Sequence, residues 1–299
     1  MGDLMKIDSI QDHCDYFRVE PLHPLVNVIE GQKANLVHYC PKLYGIYTII
    51  LKDLNCGTLK YGRSKYDYQE GTLLFIAPSQ VMGSEDDGQL HQPEGWMLTF
   101  HPEFLRGTAL VNILKDYTYF SYNANEALHI SQEERETVIG CLRMIQTELQ
   151  MPMDKHGRKI VIDSIRLFLD YCNRIYDRQF ESRETVNKDI LSKFETLLTD
   201  YFNSEQPILN GLPTVQYCAD KLCLSSNYFS DLVKKETGQS ALKHIQQRIL
   251  NIAKERVYSS KKSISEISED LGFPYPQHFT RWFKKMEGCT PNEYRRAMR

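Results

Sequence analysis

Residues 225–240, SSNYFSDLVKKETGQS, recur fifty positions later as residues 276–290, PQHFTRWFKKMEGCT. Phe229 returns as Phe279, Lys234 and Lys235 as Lys284 and Lys285, and Gly238 as Gly288, while Ser230 and Ser240 return as Thr280 and Thr290. A chain that repeats an amphipathic segment with its closing glycine must build the same local unit twice. Each copy reads as two short helices around a tight turn. In the first, Val215, Cys218, Ala219 and Leu222 form one apolar stripe, CLSS turns the chain, and Phe229, Leu232 and Val233 form the next. In the second, Ser263 and Glu266 make a capping box over Ile264, Ile267 and Leu271. A turn one residue longer begins at Gly272 and Phe273, and Phe279, Trp282 and Phe283 face inward. Small residues, Ala219 and Ser268, stand where the helices of each pair cross. This is helix-turn-helix geometry, with units over about 214–237 and 264–287.

Between the copies, residues 242–258 read as one helix capped by Ser240, with Ile245, Ile249, Ile252 and Ala253 inward. At 1.5 Å per residue it spans about 25 Å. The faces turned outward carry Ser226, Asn227, Ser230, Asp231 and Lys234 on the first copy, and Pro276, Gln277, Thr280, Arg281 and Lys284 on the second. Guanidinium, amide and hydroxyl groups near a helix N-terminus suit base edges in a major groove, which assigns base reading to Ser226, Asn227, Ser230, Gln277, Thr280 and Arg281. Lys234, Lys235, Lys284 and Lys285 suit phosphate. A solvated polar surface is the plain alternative for any one of these positions; the constellation occurring twice favours the DNA reading.

Charge points the same way. Residues 205–299 hold 15 Lys and Arg against 10 Asp and Glu, whereas residues 1–204 hold 21 against 29. A basic end on an otherwise acidic chain fits a polyanionic partner, though a solvated surface produces the same imbalance.

At 299 residues two domains are expected. Residues 20–104 carry β signals: LYGIYTIIL, GTLLFIAP and GWMLTFH are rich in Ile, Tyr, Phe and Thr and are separated by turn compositions, as in a sandwich or barrel. Beyond residue 125 the period becomes helical. Ser131 and Glu134 form a capping box before Val138, Leu142, Ile145 and Leu149, and Ile162, Ile165, Leu169, Cys172 and Tyr176 share a second stripe. The two predict a helical hairpin joined by MPMDKHG, whose stripes are either packed faces or a seam to a second copy. The charged stretch 176–189 predicts the domain boundary. A new helix starts at Ile190, Phe194, Leu197, Leu198 and Tyr201, and SEQPILNGLP breaks it.

The eight cysteines, including Cys56, show no Cys-x-x-Cys spacing, and His23, His38, His91, His101 and His129 are dispersed, so neither a metal nor a cofactor is expected. The longest aliphatic stretch, GIYTIILK, is too short for a bilayer, and the N-terminus carries no export signal, so a cytoplasmic location and no membrane contact are expected. Tyr44, Tyr47, Tyr61 and Trp96 could line a ligand space or simply fill a core.

ISEDLGF, Phe279, RWFKK, Gly288 and TPNEYRR, with Arg248 and Ala253 in the joining helix, resemble the double helix-turn-helix domain of AraC/XylS-type transcription regulators over roughly the last hundred residues. In TPNEYRR, Thr290, Pro291 and Glu293 open the final helix. Two departures stand out: the family commonly has glycine where Cys223 stands and a basic residue where Asp231 stands. The N-terminal part is similar, more weakly, to the cupin-like sensory domains of that family. The resemblance implies an α+β chain of two domains. Residues 1–182 would be a cupin-like β-barrel or jelly roll (about 20–125) and a helical hairpin (about 131–178) for effector binding and dimerisation. Residues 183–299 would be an all-α DNA-binding domain. Implied partners are double-stranded DNA, a small-molecule effector, RNA polymerase, and a second copy held through the N-terminal helices. Readings of another class are a cupin-type metal enzyme with a helical appendage, for which no ligand cluster is found, and a C-terminal domain that recruits protein.

Overall fold

The computed structural model describes residues 5–52, 71–83, 87–123 and 126–298; Cys56 and Tyr61 lie outside the described residues. Contacts divide the chain into two units, Met1–Ser182 and Arg183–Arg299. The fold is mixed α+β, with all strands among the described residues in the first unit and the second unit helical.

In the first unit an antiparallel sheet runs in the order β2 (Val26–Glu30), β7 (Trp96–Phe100), β4 (Tyr47–Lys52), β5 (Thr72–Ile76) and β8 (Leu128–His129). A second sheet joins β1 (Met5–Ile7), β3 (Lys42–Tyr44) and β6 (Gln80–Met82), with β1 and β3 parallel. Both TLLFI and WMLTF are buried at every position. Apolar runs without alternation are what a strand covered on both faces requires. On one face Ile29, Ile76 and Met97 pack with Ile10, Cys14 and Phe17 of α1 (Ile10–Phe17). On the other, Tyr47 stacks on Phe100 at 5.0 Å, Phe75 meets Tyr119 at 4.3 Å, and Tyr119 stacks on Tyr176 at 5.1 Å.

Tyr176 belongs to α4 (Lys155–Ser182), which packs along α3 (Gln132–Leu149). The Ser131 hydroxyl accepts from the Glu134 amide at 3.3 Å and the Glu134 carboxylate accepts from the Ser131 amide at 2.8 Å, closing the expected box. The two predicted stripes are buried in full, so they are packed faces. Met144, Ile160 and Leu167 remain exposed on the outside of the hairpin.

Three expectations need correction. Lys155, His156 and Gly157 are the first turn of α4 rather than part of its connection, because Asp154 accepts from the His156 and Gly157 amides at 2.9 and 2.7 Å and caps the helix early. The charged stretch 176–189 is helical up to Ser182, and α5 (Glu184–Phe202) starts before Ile190. Charged side chains make a solvated helix face, and pairs such as Lys193 with Asp189 at 2.6 Å support it. Within SEQPILNGLP, residues Gln206–Asn210 form a short helix, α6, with Pro207 in its first turn.

Of the aromatic side chains raised as a ligand lining, the three described ones do not converge. Tyr44 lies in the cluster beneath α1, Tyr47 stacks on Phe100, and Trp96 lies under the Arg143 guanidinium at 5.7 Å. His23 and His101 accept backbone amides through Nδ1, and His91 pairs with Asp87. Among the described residues no three potential metal ligands come together, and the described cysteines are free thiols.

His13, on α1, is 1% exposed, and neither ring nitrogen has a hydrogen-bond partner in the protein. Burial, with the Lys42 ammonium second, lowers its pKa from 6.5 to about 3. The unfolded chain therefore takes up a proton near pH 6.5 that the folded unit refuses until about pH 3. Its stability falls as pH drops through that window, by about 2.5 kcal/mol at pH 4.5. Urea titrations at pH 7 and 4.5 should show this loss in the first unit, and His13→Phe should flatten it.

Candidate nucleic-acid interface

The second unit is built around α9 (Ala241–Ser259), whose Ile245, Ile249 and Ala253 are buried and Ile252 partly so. The first helix pair is α7 (Val215–Lys221) and α8 (Ser226–Thr237). The Thr214 hydroxyl accepts from the Tyr217 amide and the Ser225 hydroxyl from the Tyr228 amide, so each helix starts at a side-chain cap. Cys223 lies between them in the left-handed region at φ 59°. Gly238, at φ 70°, closes α8. The second pair is α10 (Ile264–Asp270), opened by the Ser263 and Glu266 box, and α11 (Pro276–Glu287), closed by Gly288 at φ 88°. Ala219 and Ser268 are fully buried at the crossings. The final helix, α12 (Pro291–Ala297), opens on the Thr290, Pro291 and Glu293 cap that its sequence predicts.

Each second helix buries one face and exposes the other. Phe229, Leu232 and Val233 anchor α8, and Phe279 and Phe283, both at 0% exposure, anchor α11, with Trp282 half-buried against Phe273. Exposed on α8 are Asn227, Lys234 and Lys235; exposed on α11 are Pro276, Gln277, Arg281, Lys284 and Lys285.

Ser226, Ser230, Asp231 and Thr280 are only half-exposed. The Ser226 hydroxyl donates to Gln216 Oε1 at 2.6 Å and the Thr280 hydroxyl to the Pro276 carbonyl at 3.0 Å. With their protons engaged, these two oxygens can only accept, which narrows the role expected of them. Two exposed side chains escaped the sequence reading. Tyr275, just before α11, is 60% exposed, and its ring meets His278 edge-on at 5.3 Å beside Gln277. Their i, i+3 spacing at the start of the helix was the available signal.

Part of the basic surplus works inward. Arg256 donates to the Asp270 carbonyl at 3.0 Å and the Phe202 carbonyl at 2.6 Å, closing the C-terminal ends of α10 and α5. Arg295 donates to the Val257 carbonyl in the last turn of α9 and to the Lys262 carbonyl just before α10, both at 2.8 Å, and Arg248 donates to the Thr199 hydroxyl at 2.9 Å. These arginines tie α9 to α5, to the end of α10 and to α12.

A family model described as a helix-turn-helix domain matches residues 218–297. The Transposon Tn10 TetD protein of Escherichia coli is 36% identical over 120 residues, covering 40% of this chain and 78% of that protein. The chain belongs to the AraC/XylS-type family of transcription regulators. Within that family it is also similar to the uncharacterized HTH-type transcriptional regulator YtdP of Bacillus subtilis (strain 168), 34% identical over 154 residues, 45% of this chain and 20% of YtdP. The chain spans between 20% and 30% of the length of YtdP and of two further Bacillus subtilis regulators that it matches. Among solved structures, the C-terminal domain of the response regulator yesN from Fusobacterium nucleatum is similar at 26% identity and a TM-score of 0.32, covering 36% of this chain and 98% of that one.

Proposed function

We propose that this member of the AraC/XylS-type family is a sequence-specific double-stranded-DNA-binding transcription regulator, with residues 183–299 as the reader and residues 1–182 as a cupin-like sensory and dimerisation domain. One observation carries the reading. Two helices of the same make, α8 and α11, each held by buried phenylalanines, turn polar and basic faces to solvent on either side of one rigid helix. Gln277 and Arg281, with Asn227, suit base edges, and Ser226, Ser230 and Thr280 add acceptors. Lys234, Lys235, Lys284 and Lys285 suit phosphate. Asp231 on α8 repels phosphates and the acceptor groups of base edges alike, so α11 carries most of the sequence choice. A small-molecule effector, RNA polymerase and a second copy are the further partners, in a cytoplasmic setting.

The nineteen residues of α9 span about 28 Å, short of the roughly 34 Å between successive major-groove faces of straight DNA. Engaging both grooves then bends the duplex, at a cost of about 1 to 6 kcal/mol. Selection of duplexes from a genomic pool by the full chain should enrich one motif, and circularly permuted fragments of that motif should show position-dependent mobility when bound. No enrichment contradicts the function, and equal mobility contradicts engagement of two grooves.

A further inference from the structure

The first unit is acidic overall, with 18 Lys and Arg against 25 Asp and Glu in residues 1–182, yet it gathers four cations in one cleft. The cleft, of about 310 Å³, lies between the start of α4 and the start of α2 (Ala109–Ile113). Lys155, Arg158, Lys159 and Arg166 line it; Asp163 is the one carboxylate among its lining residues, and Leu110 and Ile162 give it an apolar wall. We propose that this cleft is a binding site for a small phosphate-bearing metabolite.

The placement of these cations opposes helix stability. The N-terminus of a helix carries partial positive charge, which disfavours Lys and Arg in the first turns. Lys155 and Lys159 stand four apart, the spacing at which like charges repel. Neither has an ion-pair partner among the described residues. Arg166 is held only loosely by Asp170, at 3.8 Å. Asp154 at the helix start and Asp163 in the lining offset only part of this charge, two carboxylates against four cations, and a bound anion offsets more of it.

Side chains supply the attraction, since the His156 and Gly157 amides already donate to Asp154. Arg158 is fixed in the cleft by bonds to the Phe104 and Arg106 carbonyls, both 2.9 Å, so it is oriented before a ligand arrives. Lysine ammonium groups act as mobile point charges, which suits the tetrahedral oxygens of a phosphoryl group.

Size and field select a small ligand over a polymer. About 310 Å³ is at the low end for small-molecule sites. Charges beyond a Debye length of about 8 to 10 Å are screened, so a compact anion feels the cleft, whereas a duplex would extend past it over a unit that is acidic overall. Leu110 and Ile162 are placed to cover the carbon skeleton of such a ligand.

The test is calorimetric titration of the full chain with glucose 6-phosphate, pyrophosphate and glucose at low salt. The two phosphorylated probes should saturate and glucose should not. The Lys155→Ala/Lys159→Ala double variant should bind them at least about tenfold more weakly. Its melting temperature without ligand should equal or exceed that of the parent, because two unfavourable cations are removed, and its affinity for duplex DNA should not change. No saturation by either phosphorylated probe, equal binding of glucose, parental affinity in the double variant, or a loss of duplex affinity in it would each overturn the proposal. The duplex measurement keeps this outcome separate from that of the DNA-binding reading, which does not involve the cleft.

Discussion

Gly272→Ala should destabilise the second unit by about 2 to 5 kcal/mol, adding a left-handed penalty to an overpacking penalty. The backbone at Gly272 has φ 84°, and a Cβ there would stand 2.5 Å from the Pro207 carbonyl oxygen and 2.7 Å from the Gly211 carbonyl carbon. Those atoms are main chain of the α6 turn, so relief requires the turn that braces α10 to move. Cys223 occupies the equivalent place in the first helix pair at φ 59°, with its side chain exposed. One turn thus tolerates a side chain and the other does not. Cys223→Gly should change stability by no more than about 1 kcal/mol, since the left-handed cost removed is offset by the freedom glycine gains in the unfolded chain. Urea unfolding followed by Trp282 fluorescence in a Trp96→Phe background reports on the second unit, because these are the two tryptophans of the chain. A Gly272→Ala variant as stable as its parent would show that the α6 turn does not confine α10.

Raising salt from 50 to 200 mM should weaken duplex binding roughly 150-fold if Lys234, Lys235, Lys284 and Lys285 each neutralise one phosphate, a slope of about −3.6 in log affinity against log salt. The four lysines follow their recognition helices toward the C-terminal end, where cations also favour the helix dipole. Lys284→Ala/Lys285→Ala should flatten the slope by about 2 and lower affinity for selected and unrelated duplexes by similar factors. Fluorescence anisotropy across a salt series measures both quantities. An unchanged slope would remove these lysines from the phosphate contacts.

The repeat made the second unit readable, because each structural decision in it is local. A serine or threonine three residues before glutamate caps at Ser263 and Thr290, a glycine ends α8 and α11, and phenylalanines at fixed offsets mark the buried face. Contacts distant in sequence were not readable. Arg256 bonds carbonyls 14 and 54 positions away, and Arg295 bonds others 33 and 38 away, so in sequence they look like surface cations. In the first unit α1 was missed although Ser9 and Asp12 form a capping box and Ile10, Cys14 and Phe17 stand at helical spacing, since eight residues give that period only about two turns in which to appear. The three-residue strands β1, β3 and β6 are too short for a period to appear, and neighbouring strands decide them. The division between the units falls at Ser182/Arg183, within residues 176–189, but the helices run up to it on both sides, because the charged side chains there mark the solvated side of a helix.

The account rests on a division of labour along α11, with base choice at its start and phosphate neutralisation at its end. Affinities of the full chain, of Arg281→Ala and of Lys285→Ala for the selected duplex and for every single-base-pair variant of it test this most directly. Arg281→Ala is predicted to cost about 1 to 3 kcal/mol and to erase preference at one base pair, whereas Lys285→Ala is predicted to lower affinity for every duplex by the same factor. Uniform losses in both variants would contradict the account.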